Sequence, residues 1–385
     1  MNLAIKEALD FIKKEKGLTY ITIGNIGSAL LGAFFWFILA SILKVSEYGE
    51  VNYYLSLVSI PVAIGLAGLN TTVTTYLAKG EEEIIYEANS IILILSLILA
   101  LFLISFQLIL SLILISMIFY GMALAEIIGK KLYDEYTFVS LTNKLIQIVL
   151  SILLYFKYGL IGILIGYFLG YFLLSYRYLK SLSKFTLKIN NLRNKLKFIL
   201  HSYGLNLIGN LSSFLDKIII GTIFGFYVLG LYQLGYQFLV FLMTVSGSFY
   251  TYLLPEEASG ENKKEVKLIG LILSIVIAII IFLFSPLIIK IFFPNFISAI
   301  QIVQIMSLSV IPATIISISN ARLFGKEKSK YTLIGGIIYL ISLIIGIVFF
   351  GKILGIIGLA FSIIFAQMFQ AIYLWRKAKI SFYEK

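Results

Sequence analysis

Residues 269–289 read IGLILSIVIAIIIFLFSPLII, a stretch without a charged side chain. At a rise of about 1.5 Å per residue, a helix of this length spans about 30 Å, the thickness of a bilayer's hydrocarbon core. The stretch is apolar on every side, whereas a strand of a membrane β-barrel alternates apolar and polar residues over about ten positions. It therefore predicts a membrane-spanning helix.

Similar stretches recur along the chain, in which 60% of the residues are hydrophobic, 13% are charged and the mean hydropathy is +1.00. A water-soluble fold could not bury this much apolar surface. We predict an all-α integral membrane protein of about twelve spans, although only Ser105, Phe106 and Gln107 separate the third from the fourth. The predicted spans are residues 18–43, 51–77, 88–106, 108–129, 137–156, 159–179, 198–223, 228–252, 267–290, 298–322, 331–350 and 353–375.

The orientation follows from the positions of the basic residues. With the N-terminus in the cytoplasm, 25 of the 31 Lys and Arg residues lie on the cytoplasmic side. The external loops contain only Lys44, Lys157, Lys290 and Lys352. This asymmetry is typical of membrane proteins, so the net charge of +12 indicates topology and not nucleic-acid binding. We predict a multi-pass protein of the plasma membrane with both termini in the cytoplasm.

Several classes of function are disfavoured by what the sequence lacks. It has no cysteine and a single histidine, His201, so we expect no metal centre and no thiol chemistry. The longest hydrophilic segment, residues 180–197, is too short for a soluble catalytic domain, and we find no phosphate-binding loop motif. We therefore predict that the protein is not an enzyme and uses no cofactor.

The chain also shows a weak internal repeat, in which similar residues stand at corresponding places in the two halves. The matches are Asn25 with Asn206, Gly49 with Gly230, Asn52 with Gln233, Gly159 with Gly355 and Gly162 with Gly358. The first three pairs share one offset along the chain, and the last two share a larger one. We predict two six-helix lobes, residues 1–190 and 191–385. Because six is even, both lobes enter the membrane from the same side, and a pseudo-two-fold axis along the membrane normal would relate them around a cleft.

The fifth span contains a polar stripe. Ser140, Lys144, Gln147 and Ser151 fall on one helical face, with Lys144 about 15 Å deep. An ionisable group at this depth is a functional hypothesis, so the stripe could line a cavity. Alternatively, the lysine could extend along its own stem toward the interface or bind a neighbouring carbonyl group.

Polar residues also cluster in the seventh span. Asn206, Asn210, Ser213 and Lys217 share a face, and Asp216 stands beside Lys217 toward the external end. These two charges could form a structural ion pair or serve transport, and adjacent residues on a helix need not face each other.

Two further patterns concern packing. Gly162, Gly166 and Gly170 form a face on the sixth span that permits close helix approach. Glu126 is predicted to lie at the inner end of the fourth span near Lys130, in the interface.

Five motifs in order carry a resemblance to a known family. They are Tyr48-Gly49, Asp216-Lys217, Leu229-Gly230-Leu231-Tyr232, Pro255 and Gly325-Lys326. On these residues the chain resembles the polysaccharide-repeat flippases, which include O-antigen and archaeal S-layer glycan flippases. That family belongs to the multidrug, oligosaccharidyl-lipid and polysaccharide exporter (MOP) superfamily.

The resemblance implies that the protein moves a polyprenyl-diphosphate-linked oligosaccharide from the cytoplasmic to the external leaflet by alternating access. Lys144 or Lys217 would then hold the diphosphate and Asp216 would bind a coupling ion, H⁺ or Na⁺. Amide side chains would hydrogen-bond the sugars, and the candidates are Asn25, Gln147, Asn206 and Asn210. We expect a monomer whose other partners are membrane lipids.

Two alternatives stay open. A multidrug or cation antiporter of the same superfamily should prefer acidic cavity residues. A membrane-embedded glycan polymerase or glycosyltransferase should carry catalytic residues in a sizeable external loop, yet the predicted external loops contain only two acids, Glu47 and Glu50.

Overall fold

The computed structural model describes residues 16–379, which form helices joined by short turns and contain no strand. Two 3₁₀ helices, Leu182–Lys184 and Pro294–Ala299, accompany the α-helices. In chain order the α-helices are α1 (Lys16–Ile42), α2 (Val45–Leu66), α3 (Leu69–Leu77), α4 (Ile84–Ile104), α5 (Leu108–Gly129), α6 (Tyr133–Tyr158), α7 (Leu160–Leu173), α8 (Tyr176–Ser181), α9 (Asn190–Arg193), α10 (Leu196–Ala258), α11 (Lys264–Phe292), α12 (Ile300–Ser307), α13 (Val310–Gly325) and α14 (Ser329–Ala378). The chain ends, which are predicted to be cytoplasmic, lie outside the described residues.

The number of spans agrees with the prediction of about twelve. In the described part of the chain, eight helical stretches are long and apolar enough to cross a bilayer, and two bent pairs raise the number to ten. Among them α10 and α14 have 63 and 50 residues, which in a straight helix would span about 95 and 75 Å, far more than one crossing needs. Each breaks at a glycine with positive φ, Gly225 in α10 and Gly355 in α14. Counting their halves separately gives twelve spans.

The weakly predicted turn between the third and fourth spans is present. α4 ends at Ile104 and α5 begins at Leu108. The backbone N–H groups of Phe106 and Gln107 both bond to the Leu103 carbonyl, at 3.0 and 3.2 Å. Polar backbone groups at a membrane hairpin are costly unless they are bonded, so these local bonds allow a very short turn.

The two halves of the chain repeat the same turns. Three positions with left-handed φ in the first half have partners in the second half with nearly the same angle. The pairs are Gly80 and Gly260 (89° and 90°), Lys131 and Glu327 (59° and 57°), and Gly159 and Gly355 (63° and 58°). The last two pairs share the larger of the two offsets found in the sequence. The backbone therefore supports the predicted duplication.

Contacts within the chain divide it into two compact units, residues 16–36 with 57–210 and residues 37–56 with 211–379. In the first unit, α6 and α7 pack closely because α7 presents glycine. A Cβ atom added to Gly162 would lie 2.1 Å from the carbonyl oxygen of Leu154, and one added to Gly166 would lie 2.4 Å from the backbone nitrogen of Ser151. The predicted glycine packing face is thus confirmed. The predicted lobes, residues 1–190 and 191–385, divide the chain between its two repeats. This division stays a prediction.

The second unit contains an equivalent of the Gly162 contact. It also contains a pair of contacts in which two helices each present a glycine to a carbonyl of the other. A Cβ atom on Gly358 would lie 2.0 Å from the Phe350 carbonyl oxygen. Within the same unit, Gly49 of α2 approaches the carbonyl of Phe226, while Gly230 of α10 approaches the carbonyl of Val45, each with a Cβ-to-oxygen distance of 2.0 Å. The two helices therefore cross with their backbones in contact.

We expect Gly166→Ala to lower the stability of the folded protein by about 1–3 kcal/mol, because the added methyl group meets the backbone of Ser151. Gly204→Ala is the matched control, since a Cβ atom there has no neighbour within 4 Å. Thermal unfolding in detergent, followed by circular dichroism, measures the difference. Equal unfolding temperatures for the two variants would contradict the close packing of α6 and α7.

Candidate functional site

In the second unit, Asp216 and Lys217 form a buried ion pair on α10. Their side chains are 2% and 5% exposed. The Nζ atom of Lys217 lies 3.2 and 3.3 Å from the two carboxylate oxygens of Asp216 and also donates a hydrogen bond of 2.6 Å to the carbonyl of Ser213. The long lysine stem folds back along its own helix to make both contacts. The two adjacent charges therefore do face each other.

Two tyrosines from the segment after Gly225 complete this cluster. The hydroxyl of Tyr232 donates to Asp216 Oδ2 at 2.7 Å. The ammonium group of Lys217 lies 3.8 Å from the centre of the Tyr236 ring, a cation–π contact. The carboxylate thus has both an ammonium and a phenol as partners, and the cluster carries no net charge. Removing one charge would leave the other buried without compensation.

In the first unit, Lys144 lies on α6 and is half-buried. Its Nζ atom donates to Gln147 Oε1 at 3.2 Å. Within the described residues, Lys144 makes no salt bridge with a carboxylate. Its recorded partner is a neutral amide, so the positive charge of Lys144 is not balanced locally.

The other residues of the α6 stripe mainly pack against α7. Ser151 is fully buried and donates to the carbonyl of Ile163 at 3.1 Å. Gln147 is 1% exposed, and a Cβ atom on Gly170 would lie 2.4 Å from its Cγ atom. The prediction that this stripe lines a cavity is therefore wrong for Ser151. A binding role for Gln147 stays a prediction, with its amide oxygen already accepting from Lys144.

Asn25 lies on α1 and is exposed. Its side-chain oxygen accepts a hydrogen bond of 2.5 Å from the hydroxyl of Tyr136 on α6. The carbonyl of Tyr20, one turn earlier on α1, accepts from Thr137 at 2.5 Å. Asn25 thus lies between α1 and the same helix that carries Lys144, and its sugar-binding role stays a prediction.

Asn206 and Asn210 lie together on the first part of α10, within the first unit. The amide nitrogen of Asn206 lies 3.4 Å from Asn70 Oδ1 and 3.3 Å from Thr71 Oγ1, both on α3. The amide of Asn210 donates to the Asn206 carbonyl at 2.8 Å. These contacts place a layer of amides and hydroxyls where apolar side chains would otherwise pack.

Sequence reasoning missed the partners on α3 and the two tyrosines. The segment LNTTVTTYL, residues 69–77, is an unusually polar run at the end of the predicted second span, and it could have indicated Asn70 and Thr71. Tyr232 belongs to the Leu229-Gly230-Leu231-Tyr232 motif that carries the family resemblance. Nothing in the spacing indicated that its hydroxyl would bond to Asp216.

The α2–α3 bend faces this amide layer. Gly68 has φ of 73°, and a Cβ atom there would lie 2.6 Å from the backbone nitrogen of Tyr203. The bend of 49° between α2 and α3 therefore needs glycine for both its angle and its contact with α10.

Comparisons with known proteins give similarity at the level of structure. No protein-family model matches the sequence, and no curated protein shows significant similarity to it. Among solved structures, the chain is similar to the lipid II flippase MurJ in an inward closed conformation, with a TM-score of 0.79, 17% identity and coverage of 94% of this chain and 87% of that one.

Other similar structures are transporters of the MOP superfamily. An inward-facing multidrug resistance MATE transporter matches with a TM-score of 0.67, 16% identity and coverage of 93% of this chain and 94% of that one. A Pyrococcus furiosus transporter, described as having a binding pocket of reversed polarity, matches with a TM-score of 0.55 and 15% identity over 94% of this chain and 92% of that one. Identities this low establish the fold alone, and they confirm the predicted fold class: the chain has the all-helical fold of MOP-type transporters.

Proposed function

We propose that this protein is a flippase that moves a polyprenyl-diphosphate-linked oligosaccharide from the cytoplasmic to the external leaflet of the plasma membrane by alternating access, driven by an inward gradient of H⁺ or Na⁺. It would act as a monomer with both termini in the cytoplasm. The fold supports a transporter, and the similarity to a lipid II flippase supports a lipid-linked substrate.

The observation that carries the proposal is the charge inside the predicted spans. Three ionisable residues lie deep in them, namely Lys144, Asp216 and Lys217. Asp216 is neutralised by Lys217 and hydrogen-bonded by Tyr232, whereas the recorded partner of Lys144 is a neutral amide. A positive charge in the membrane is expensive and therefore usually functional. An excess positive charge favours an anionic diphosphate over a cationic drug.

We assign the diphosphate to Lys144 and not to Lys217, for a thermodynamic reason. A cation on Asp216 would release Lys217, and an anion on Lys217 would release Asp216, so at this pair the two ligands would strengthen each other's binding. Exchange of the substrate against an inward ion requires the opposite coupling, in which binding of one ligand weakens binding of the other. Lys217 is better suited as the internal counter-ion, which separates from Asp216 when the coupling ion binds.

A second candidate is a multidrug or cation antiporter, favoured by the similarity to a MATE transporter over 93% of this chain. For that function Asp216 would be the ligand of the organic cation. The two functions predict opposite substrate charges, so transport assays with anionic and cationic substrates distinguish them.

We expect Lys144→Gln to reduce translocation of a diphosphate-linked glycan in proteoliposomes by about tenfold or more, since a charge-assisted hydrogen bond contributes about 1.5–3 kcal/mol. Lys157→Gln is the matched control, because Lys157 is an exposed lysine at the end of the same helix. The measurement is the fraction of glycan that becomes accessible to a lectin across the membrane. Equal rates for the two variants would contradict the role of Lys144, and efflux of organic cations that Lys144→Gln leaves unchanged would favour the antiporter.

For the ion pair we expect a strongly non-additive result. Lys217→Met alone should destabilise the protein by about 3–5 kcal/mol, because Asp216 would be buried without its counter-ion, while Asp216→Asn with Lys217→Met should recover most of this loss. Thermal unfolding in detergent provides the comparison, with Tyr232→Phe as the variant that removes only the phenol hydrogen bond.

The same double variant tests ion coupling. If Asp216 binds the coupling ion, the folded double variant should translocate at a rate that no longer responds to an imposed H⁺ or Na⁺ gradient. A gradient response equal to that of the wild type would remove the coupling role from Asp216 and leave the pair as a structural element.

Topology can be mapped directly because the chain has no cysteine. Asn190→Cys and Ser46→Cys place one thiol each at exposed positions, the first predicted cytoplasmic and the second predicted external. We expect an impermeant maleimide to label position 46 in intact cells, and position 190 only after the membrane is opened. The reverse pattern would overturn the predicted orientation.

A further inference from the structure

A pocket of about 260 Å³ lies within the first unit, at the ends of α4, α5 and α8, on the side predicted to be cytoplasmic. Four of the residues that line it are basic: Lys130, Arg177, Lys180 and Lys184. None of these residues belongs to the candidate transport residues described above. The pocket is therefore a separate feature that the proposed function does not use.

The segment that carries most of these cations is fixed in place. Tyr178 of α8 is fully buried, stacks on Phe119 at 4.2 Å and donates to the Asn89 carbonyl at 2.8 Å. Farther along, the backbone N–H of Thr186 donates to Ser90 Oγ at 3.0 Å. The lysines between these two anchors are thus held at the mouth of the pocket.

Two carboxylates balance part of the positive charge. Glu126 lies 2.7 Å from Lys130 Nζ and 3.3 Å from Arg177 Nη1, which confirms the predicted proximity of Glu126 to Lys130. Arg177 also forms a bidentate ion pair with Glu135. Four cations against two carboxylates leave an excess of two positive charges in and around the pocket.

The excess belongs to Lys180 and Lys184. Among the described residues, neither forms a salt bridge, and the Nζ atom of Lys184 has the hydroxyl of Tyr86 as its hydrogen-bond partner, at 3.1 Å. Both lysines line the same pocket, so their like charges repel each other there. A bound anion would relieve this repulsion, and phosphate matches several convergent ammonium groups.

The surroundings of the pocket favour a lipid as the source of that phosphate. Residues 176–184 bend away from α7 by 50°, as a segment that turns into the membrane interface would. Leu179 on this segment is 40% exposed, and Phe185 and Leu187 directly after it are 48% and 73% exposed. Apolar side chains beside lysines are typical of segments that lie among lipid headgroups, with acyl chains next to the apolar residues.

We propose that this pocket binds the phosphate group of an anionic phospholipid of the cytoplasmic leaflet, with Lys180 and Lys184 as its principal ligands and Lys130 as a third. The site does not depend on the proposed flippase function. A lipid bound there would fix the depth at which the first unit lies in the bilayer.

The test measures binding of fluorescent phosphatidylglycerol to the purified full-length protein in detergent, with phosphatidylcholine as the neutral lipid. We expect the double substitution Lys180→Gln with Lys184→Gln to weaken phosphatidylglycerol binding about tenfold or more, since each lysine near an anionic headgroup raises the affinity about fivefold. Lys188→Gln with Lys197→Gln is the matched control, because it removes two exposed charges that follow the pocket segment in the chain, one before α9 and one at the start of α10, and neither lines the pocket. Lys180→Arg with Lys184→Arg should retain binding.

Three outcomes would overturn the proposal. Equal loss in the pocket pair and the control pair would indicate diffuse attraction to a basic loop. Equal affinity for phosphatidylglycerol and phosphatidylcholine would exclude recognition of charge. Displacement of the lipid by millimolar inorganic phosphate, at an ionic strength matched with chloride, would assign the pocket to a soluble phosphate. All substituted lysines are exposed, and unfolding temperatures equal to that of the wild type ensure that the comparison concerns binding.

Discussion

Gly162 of α7 lies against the backbone carbonyl of Leu154 on α6, and Gly358, in the half of α14 after Gly355, lies in the same way against the carbonyl of Phe350 in the half before it. This close approach matters because lipid tails are as apolar as leucine, so burying apolar side chains between helices gives little hydrophobic gain in a membrane. Dense packing must supply the attraction instead, and any side chain at these positions would separate the helices. The arrangement of the polar residues depends on it, since Ser151 and Gln147 are placed by the same glycine face.

The duplication explains why such contacts occur twice. Left-handed turns recur at Gly80 and Gly260 and again at Gly159 and Gly355. Lys131 and Glu327, which follow the fourth span of each half, already show the larger offset of the second pair, so the extra residues of the second half lie in its third and fourth spans. There α11 has 29 residues where α4 has 21. Turns are thus preserved while helix length varies, as expected if the turns fix which helices pack together.

The spans and the repeat were predictable from sequence because both depend on local composition and spacing. The partners of the polar residues were not, because helical periodicity tells which residues share a face and not what that face contacts. Ser151 illustrates the difficulty: it packs against Gly166 of the next span, and the spacing within either span does not tell that these two faces meet. Asp216 and Lys217 illustrate a second difficulty. Their pairing depends on the conformation of a flexible lysine side chain, which folds back to the Ser213 carbonyl.

Charge in the first unit is distributed according to depth. Glu135, at the start of α6, pairs with Arg177 beside the pocket lined by Lys180 and Lys184, and Lys144 follows about 14 Å farther along the same helix. At the end of the helix, water and headgroups lower the cost of a charge, so several cations and carboxylates can coexist there. Deeper in the membrane each charge costs more, and in the described part of the first unit Lys144 lies there with a neutral amide as its hydrogen-bond partner. Under the proposed function, the diphosphate of the substrate would supply the negative charge that this lysine lacks.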